Sequence, residues 1–322
     1  MIWKNAARTV LHGMGGLPAL RVMRRNQFRV LMFHEFQESC RANLEALCDH
    51  IRRHFEPVPL STIAAALRGD TSLPPNALTI TVDDGYRNFL HAHAVFRKYR
   101  MPATIYAVAG FSDGRLWLWT DHVEFGLQHT SKRGIRAEIE PGVAMELDLS
   151  SPESRTQAVA DVWAALKKLP NSRRQRFLAG FGSMCGVAIP PEPPADRLAL
   201  TWEELRALAA DGVEIGCHTF SHPILSRVSD PSELDYEIRG AKELMEARLR
   251  SKVNHFCYPN GRDADIGEAA VECVRKAGYE SSVTTTYGLN RLRANPLRMR
   301  RLPFDGTTSL EYGAELLAGL HV

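Results

Sequence analysis

Residues 78–85 read LTITVDDG, five strand-forming residues from Leu78 to Val82 and then Asp83, Asp84 and Gly85. The first five carry no charge on either face, which is the pattern of a strand covered on both sides. Two adjacent carboxylates and a glycine then end it abruptly. Working outward, similar short runs recur at Arg29–Phe33 (RVLMF), 103–108 (ATIYAV), 213–217 (VEIGC), 255–258 (HFCY) and 279–284 (YESSVT). Helical patterns lie between them. Leu44, Leu47 and Ile51 share a face over 41–55, as do Phe89, Ala92, Val95 and Phe96 over 87–99. This alternation predicts parallel strands joined by right-handed crossovers, in a distorted, incomplete α/β barrel of about seven strands.

The punctuation between these runs agrees with that reading. Thr201 and Glu204 form a capping box for a helix ending near Asp211-Gly212. Asp230, Pro231 and Glu233 occupy N-cap, N1 and N3 of a helix carrying Leu234, Ile238, Ala241 and Leu249. Gly278 closes a helix over 264–277. Between 125 and 195 the rhythm changes: Pro152 starts a helix reaching Leu169, and IPPEPPADR ends the segment. The expectation there is a helical insertion forming one wall of a cleft.

Composition narrows the function classes. The 322 residues carry a formal charge of +3, with no dense Lys/Arg run of the kind nucleic-acid binding needs. Residues 1–27 contain neither the apolar core of a signal peptide nor a bilayer span. They do place Lys4, Arg8, Arg21, Arg24 and Arg25 among apolar residues, so the expectation is a leader helix on the domain, with peripheral membrane contact as the competing reading. Six cysteines without a CxxC pair predict buried free thiols and a cytoplasmic protein, at most at the inner face of the membrane.

Two strand ends carry the chemistry. LTITV runs into Asp83-Asp84, and VEIGC runs into HTFSH, with His218 and His222 four apart. Strand ends share one rim in a parallel barrel, so the two clusters can meet there. Two imidazoles and a carboxylate are a three-ligand set for catalytic zinc, and adjacent Asp residues point different ways, leaving one free to handle a proton. Each cluster alone also reads as a turn with a cap, or as a helix surface. Cys217 faces away from His218 along its strand, and His50, His54, His91 and His93 read as solvated helix faces.

TVDDGYRNF (81–89) resembles the TFDDG motif of the polysaccharide deacetylase (NodB homology) family, and HTFSHP (218–223) resembles its H-S/T-x-x-H motif. FCYPNG (256–261) is similar to the third motif in its FxYPxG form. The likeness covers 28–304 and implies a deacetylase domain over 28–322, with the insertion at about 125–195 and the leader at 1–27. It also implies a metal-dependent hydrolase removing N-acetyl groups from an amino sugar of a glycan or glycan precursor, as in bacterial cell-surface glycan biosynthesis. Asp84, His218 and His222 would hold the ion, Zn²⁺ first and Co²⁺ or Ni²⁺ next. Asp83 would be the general base, with substrate contacts from Tyr258, Pro259 and Asn260 and the oxyanion against the Asn260 backbone N–H; Trp119, with Trp117 in LWLWTD, would either stack on the sugar or pack a lid.

The chain departs from the common pattern in two places. Cys257 stands where the third motif usually has Arg, and Arg301 in RRLPF is the candidate replacement beside Asp83. The late Leu-x-His that supplies the acid is missing, His321 in GLHV being too near the end. Members with the FxYPxG form resemble a permuted arrangement with an aromatic-His strand near the N-terminus, which makes His34 in VLMFH the candidate acid. Competing readings are a hydrolase of non-sugar linear amides and a carbohydrate-binding relative without activity.

Overall fold

In the computed structural model, which describes residues 16–322, each apolar run becomes a strand of one parallel barrel. The strands are β1 (Arg29–Phe33), β2 (Glu56–Pro57), β3 (Ala77–Val82), β4 (Ala103–Ala107), β5 (Gly134–Glu140), β6 (Val143–Asp148), β7 (Glu214–Cys217), β8 (His255–Cys257), β9 (Ser281–Tyr287) and β10 (Met299–Pro303). Seven of them form a ring in the order β1-β3-β4-β7-β8-β9-β10, closed by the pairing of β10 with β1. That is one strand fewer than a complete eight-stranded barrel. All ring pairings are parallel, so every C-terminal strand end reaches the same rim. All six residues of β3 are buried, as a strand with the barrel interior on one side and helices on the other requires.

The α-helices of five residues or more are α1 (Gly16–Met23), α2 (Arg41–His54), α3 (Leu60–Arg68), α4 (Phe89–Lys98), α5 (Trp119–His129), α6 (Pro152–Leu166), α7 (Asn171–Cys185), α8 (Trp202–Ala210), α9 (Pro231–Asp235), α10 (Ala241–Leu249), α11 (Glu268–Lys276) and α12 (Leu310–Ala318). α2 buries Leu44, Leu47, Cys48 and Ile51, one helical stripe facing the ring. α8 begins with both bonds of its capping box, Glu204 N to Thr201 Oγ1 at 3.2 Å and Thr201 N to Glu204 Oε2 at 3.0 Å. The helix expected over 264–277 breaks at Gly267, whose φ of 76° leaves the helical region.

The insertion differs from the helical reading. It contains α5, α6 and α7, but also an antiparallel hairpin of β5 and β6. In β5, Ile135, Ala137 and Ile139 are buried and alternate with Arg136 and Glu138, a period-two signal that the surrounding helices masked. The segment has its own apolar cluster, including Val123, Leu127, Val162, Leu166 and Phe181. Residues 1–15 of the leader lie outside the described residues; α1, the rest of it, packs against α12. Among the described residues no helix is long and apolar enough to cross a membrane. All six cysteines are unpaired; Cys48, Cys185, Cys217 and Cys257 are buried, Cys40 and Cys273 partly so.

Candidate functional site

Beyond Val82 the chain turns through Asp84 (φ 72°) and Gly85 (φ 76°), two consecutive left-handed residues. A Cβ on Gly85 would stand 3.0 Å from the Ala107 Cα, so the turn is pressed onto β4 and admits only glycine. This kink sends the two carboxylates apart. Asp83 turns into the ring, where Arg301 from β10 donates to Oδ1 at 2.6 Å and to Oδ2 at 2.7 Å. Burial alone would raise the Asp83 carboxyl, but the Arg301 charge and its hydrogen bonds outweigh that and hold it below its ordinary range. Arg301 is itself fully buried, with Nε on the Thr284 carbonyl at 2.7 Å and a further nitrogen 3.4 Å from Cys257 Sγ. The small Cys257 thus leaves room for a guanidinium arriving from another strand.

Asp84 turns instead toward the end of β7. His218 Nε2 and His222 Nε2 each lie 3.4 Å from Asp84 Oδ1. Those separations are long for hydrogen bonds but match a tetrahedron with bonds of about 2.1 Å, whose edges are about 3.4 Å. His218 Nδ1 donates to the Cys257 carbonyl at 2.7 Å, which leaves Nε2 as the ring nitrogen directed at Asp84. Burial and the adjacent His218 push His222 down to about 3, keeping it neutral as a ligand must be. The donor set and its spacing therefore fit a divalent ion.

A second grouping, Asp83 with His218 and Cys257, is equally compact but chemically poorer. Asp83 is committed to Arg301, and burial pushes the Cys257 thiol up, away from the thiolate that binds metal.

HTFSH is a loop rather than a helix, with Thr219 (φ 68°) and His222 (φ 56°) both left-handed. Such backbone persists only where its surroundings over-determine it. Here Thr219 Oγ1 accepts the His222 N–H at 3.0 Å. Glu237 accepts the N–H groups of Phe220 (3.0 Å) and Ser221 (2.9 Å) and the Ser221 hydroxyl. Glu237 lies in a π-helical turn, Tyr236–Gly240, between α9 and α10. The apolar spacing of that helix gave no sign of the extra residue.

Three expected substrate contacts need correction. Trp119 is 5 % exposed and donates Nε1 to the His222 carbonyl at 3.0 Å, so it braces the ligand loop instead of offering an open face. Tyr258 is 1 % exposed, its hydroxyl on the Leu297 carbonyl at 3.1 Å, and Pro259 is buried too. Of the FxYPxG segment, the half-buried Asn260 reaches the rim, at φ 58°. Alternation along a strand could not separate these residues, because β8 ends at Cys257 and the chain bends there.

His34, the candidate acid, lies on the rim beside Asp83. Phe33 pairs with Val82, so the next residues, His34 and Asp83, are neighbours on the rim. His34 Nε2 is 3.8 Å from Asp83 Oδ2, and its side chain is 47 % exposed at the cleft mouth. His321 pairs with Glu315 of α12 at 3.0 Å and is bound up there. His93, expected to be solvated, meets Asp211 at 3.1 Å.

Two further residues were not singled out by sequence reasoning. Tyr86, at the end of the DDGY run, donates to both oxygens of Asp121 at 2.9 Å. Burial pushes Asp121 up to about 7 even though Tyr86 and Arg197 oppose it. Beside them a cavity of about 300 Å³ is walled by Trp117, Phe125 and Arg197, adjoining the rim.

A family profile described as polysaccharide deacetylase matches residues 151–282. Over that segment the chain is similar to the polysaccharide deacetylases. The matched segment holds His218, His222 and FCYPNG, and the strand order β3-β4-β7 brings Asp83 and Asp84 to them from outside it. YxkH of Bacillus subtilis (strain 168), assigned to the polysaccharide deacetylases, is 28 % identical over 107 residues, 30 % of this chain. That match spans 37 % of YxkH. Among solved structures, the Streptococcus pyogenes deacetylase PplD in complex with acetate aligns with TM-score 0.59 at 13 % identity, over 90 % of this chain and 98 % of that one. IcaB from Ammonifex degensii aligns with TM-score 0.59 at 15 % identity, over 91 % and 97 %. At such identities the likeness is one of fold, and the deacetylase-family barrel is the architecture shared.

Proposed function

We propose that this chain is a metal-dependent hydrolase that removes N-acetyl groups from an amino sugar within a glycan or glycan precursor. The observation that carries the reading is the pair of 3.4 Å separations joining Asp84 Oδ1 to both imidazoles, beside a second carboxylate held ionised by Arg301. Asp84, His218 and His222 are the residues that would hold the ion, and their N₂O donor set suits zinc, with cobalt and nickel as alternatives. A divalent ion there supplies Lewis acidity toward the amide carbonyl and toward water.

The chain's own residues do the rest. Asp83 takes a proton from the attacking water, whose oxygen forms the new bond to the acetyl carbon. Arg301 keeps that carboxylate ionised and fixes its direction. The backbone N–H of Asn260 is the proposed partner of the oxyanion. The C–N bond then breaks, and the amine nitrogen leaves with a proton from His34, the exposed imidazole beside Asp83. Acetate and a free amino sugar result.

The test joins metal analysis to product detection. Purified protein should contain about one equivalent of a divalent metal, and it should release acetate from N-acetylated hexosamine oligosaccharides. Asp84→Ala should lose both the metal and the acetate. Metal retained in Asp84→Ala would reject the ligand assignment, and a metal-loaded protein active only on linear non-sugar amides would reject the substrate class.

A further inference from the structure

We infer that the end of the barrel opposite the catalytic rim is a docking surface for an anionic lipid bilayer, built jointly by α1 and the segment between β9 and β10. A groove of about 760 Å³ there is lined by Arg24, Arg291, Arg293, Arg298 and Arg300, and by no Asp or Glu. Its residues adjoin the starts of β1 and β10, whereas Asp84 and His218 follow the ends of their strands. The groove and the catalytic site are separate.

The charge in this groove is largely uncompensated. Arg298 is held by Glu268 at 2.5 Å, and Arg24 donates to the Val322 carbonyl at 3.2 Å. Among the described residues, no Asp or Glu carboxylate comes within ion-pair distance of Arg24, Arg291, Arg293 or Arg300. Beneath them Arg29 is fully buried, with Nε on the Leu317 carbonyl at 2.9 Å and Nη1 on the Gln27 carbonyl at 2.5 Å, while Nη2 meets no acceptor among the described residues. The Arg29 guanidinium is pulled down to about 10, first by burial and then by repulsion from Arg24 and Arg21. A chain with a formal charge of only +3 thus gathers its excess at one place.

Apolar side chains on the same surface choose the partner. Met23 is 79 % exposed, Val22 63 % and Leu292, between Arg291 and Arg293, 46 %. Nucleic acid or an acidic polymer would be met by charge alone, with no use for projecting aliphatic groups. A bilayer interface takes both, arginines at the headgroups and aliphatic tips below them. Docked this way, the protein presents its catalytic rim away from the bilayer.

The test uses the full chain and vesicles of equal parts phosphatidylglycerol and phosphatidylcholine, with phosphatidylcholine vesicles alone as the comparison. The protein should sediment with the anionic vesicles only, and less as salt rises. The double variant Arg291→Glu/Arg293→Glu should weaken binding about tenfold or more. Met23→Ser/Leu292→Ser, which leaves the charge unchanged, should also weaken it. All four side chains are exposed, and unchanged near-ultraviolet circular dichroism checks folding. No sedimentation would overturn the inference. So would vesicle binding indifferent to both double variants, which would put the contact elsewhere. Sensitivity to the Glu variants alone, with equal binding to RNA, would reassign the groove to polyanions and overturn the lipid reading.

Discussion

Asp83 and Asp84 are adjacent in the chain and have opposite surroundings, one facing a buried guanidinium and the other two imidazoles. The residue types, and that the two carboxylates must diverge, were legible in LTITVDDG; the partner of Asp83 was legible only through the family resemblance, as a stand-in for the Arg missing from the third motif, because Arg301 lies 218 residues away. Removing it has a definite sign. The depressed Asp83 contributes stability present above the ordinary carboxylate pKa of about 4, and lost as pH falls through its lower folded value. In Arg301→Met burial is unopposed, so the Asp83 pKa should rise and the acid limb of kcat/KM should move upward. Leaving the buried carboxylate unpaired should also cost about 3–5 kcal/mol in urea unfolding at neutral pH. An acid limb that stays in place would show that Asp83 is not the titrating base. His34→Ala should lower turnover by about 10²–10⁴-fold with metal content intact. Near-wild-type turnover would hand the proton donation to water.

At the scale of elements, the ligand loop after β7 is held from two sides that its own sequence does not announce. Trp119 of α5 holds the His222 carbonyl, and Glu237 of the π turn holds the N–H groups of Phe220 and Ser221. Trp119→Phe keeps the aromatic packing and removes one donor. Supports around a metal ligand typically govern affinity by about 10–100-fold, so the variant's metal dissociation constant should rise within that range while the fold persists. An unchanged constant by competition with a chromogenic chelator would reduce Trp119 to packing. The same contacts explain what sequence reasoning missed. Strands such as β3 announced themselves by composition, because burial on both faces demands apolar residues throughout. Long-range contacts carry no periodicity, so Trp119 and Tyr258 read as substrate aromatics when each is buried with its polar atom satisfied by a main-chain carbonyl. The hairpin of β5 and β6 was written in the alternation of GIRAEIE, but short charged strands among helices resemble helix surface.

For the molecule as a whole, the closed ring and the ion site are two solutions to one constraint. The strand order places β3 two strands from β7, with only β4 between, so ligands more than 130 residues apart converge without long loops. The price is strain, since Asp84, Thr219 and His222 all occupy left-handed backbone. Burial alone would raise the Asp84 carboxyl, and the imidazoles facing it hold it low instead. An ion bound by these residues in the folded chain alone must stabilise the fold by mass action, about 4 kcal/mol at a thousandfold excess over its dissociation constant. For a chain of this size that corresponds to a melting temperature higher by roughly 6 °C. Chelation should therefore lower the melting temperature by several degrees, and restoring zinc should recover it. Asp84→Ala should melt at one temperature with or without zinc, because a ligand is missing in both conditions. A wild-type melting curve indifferent to chelator, in protein shown to have lost its metal, would mean that the three residues meet without holding an ion tightly, and the strained turns would then need another cause.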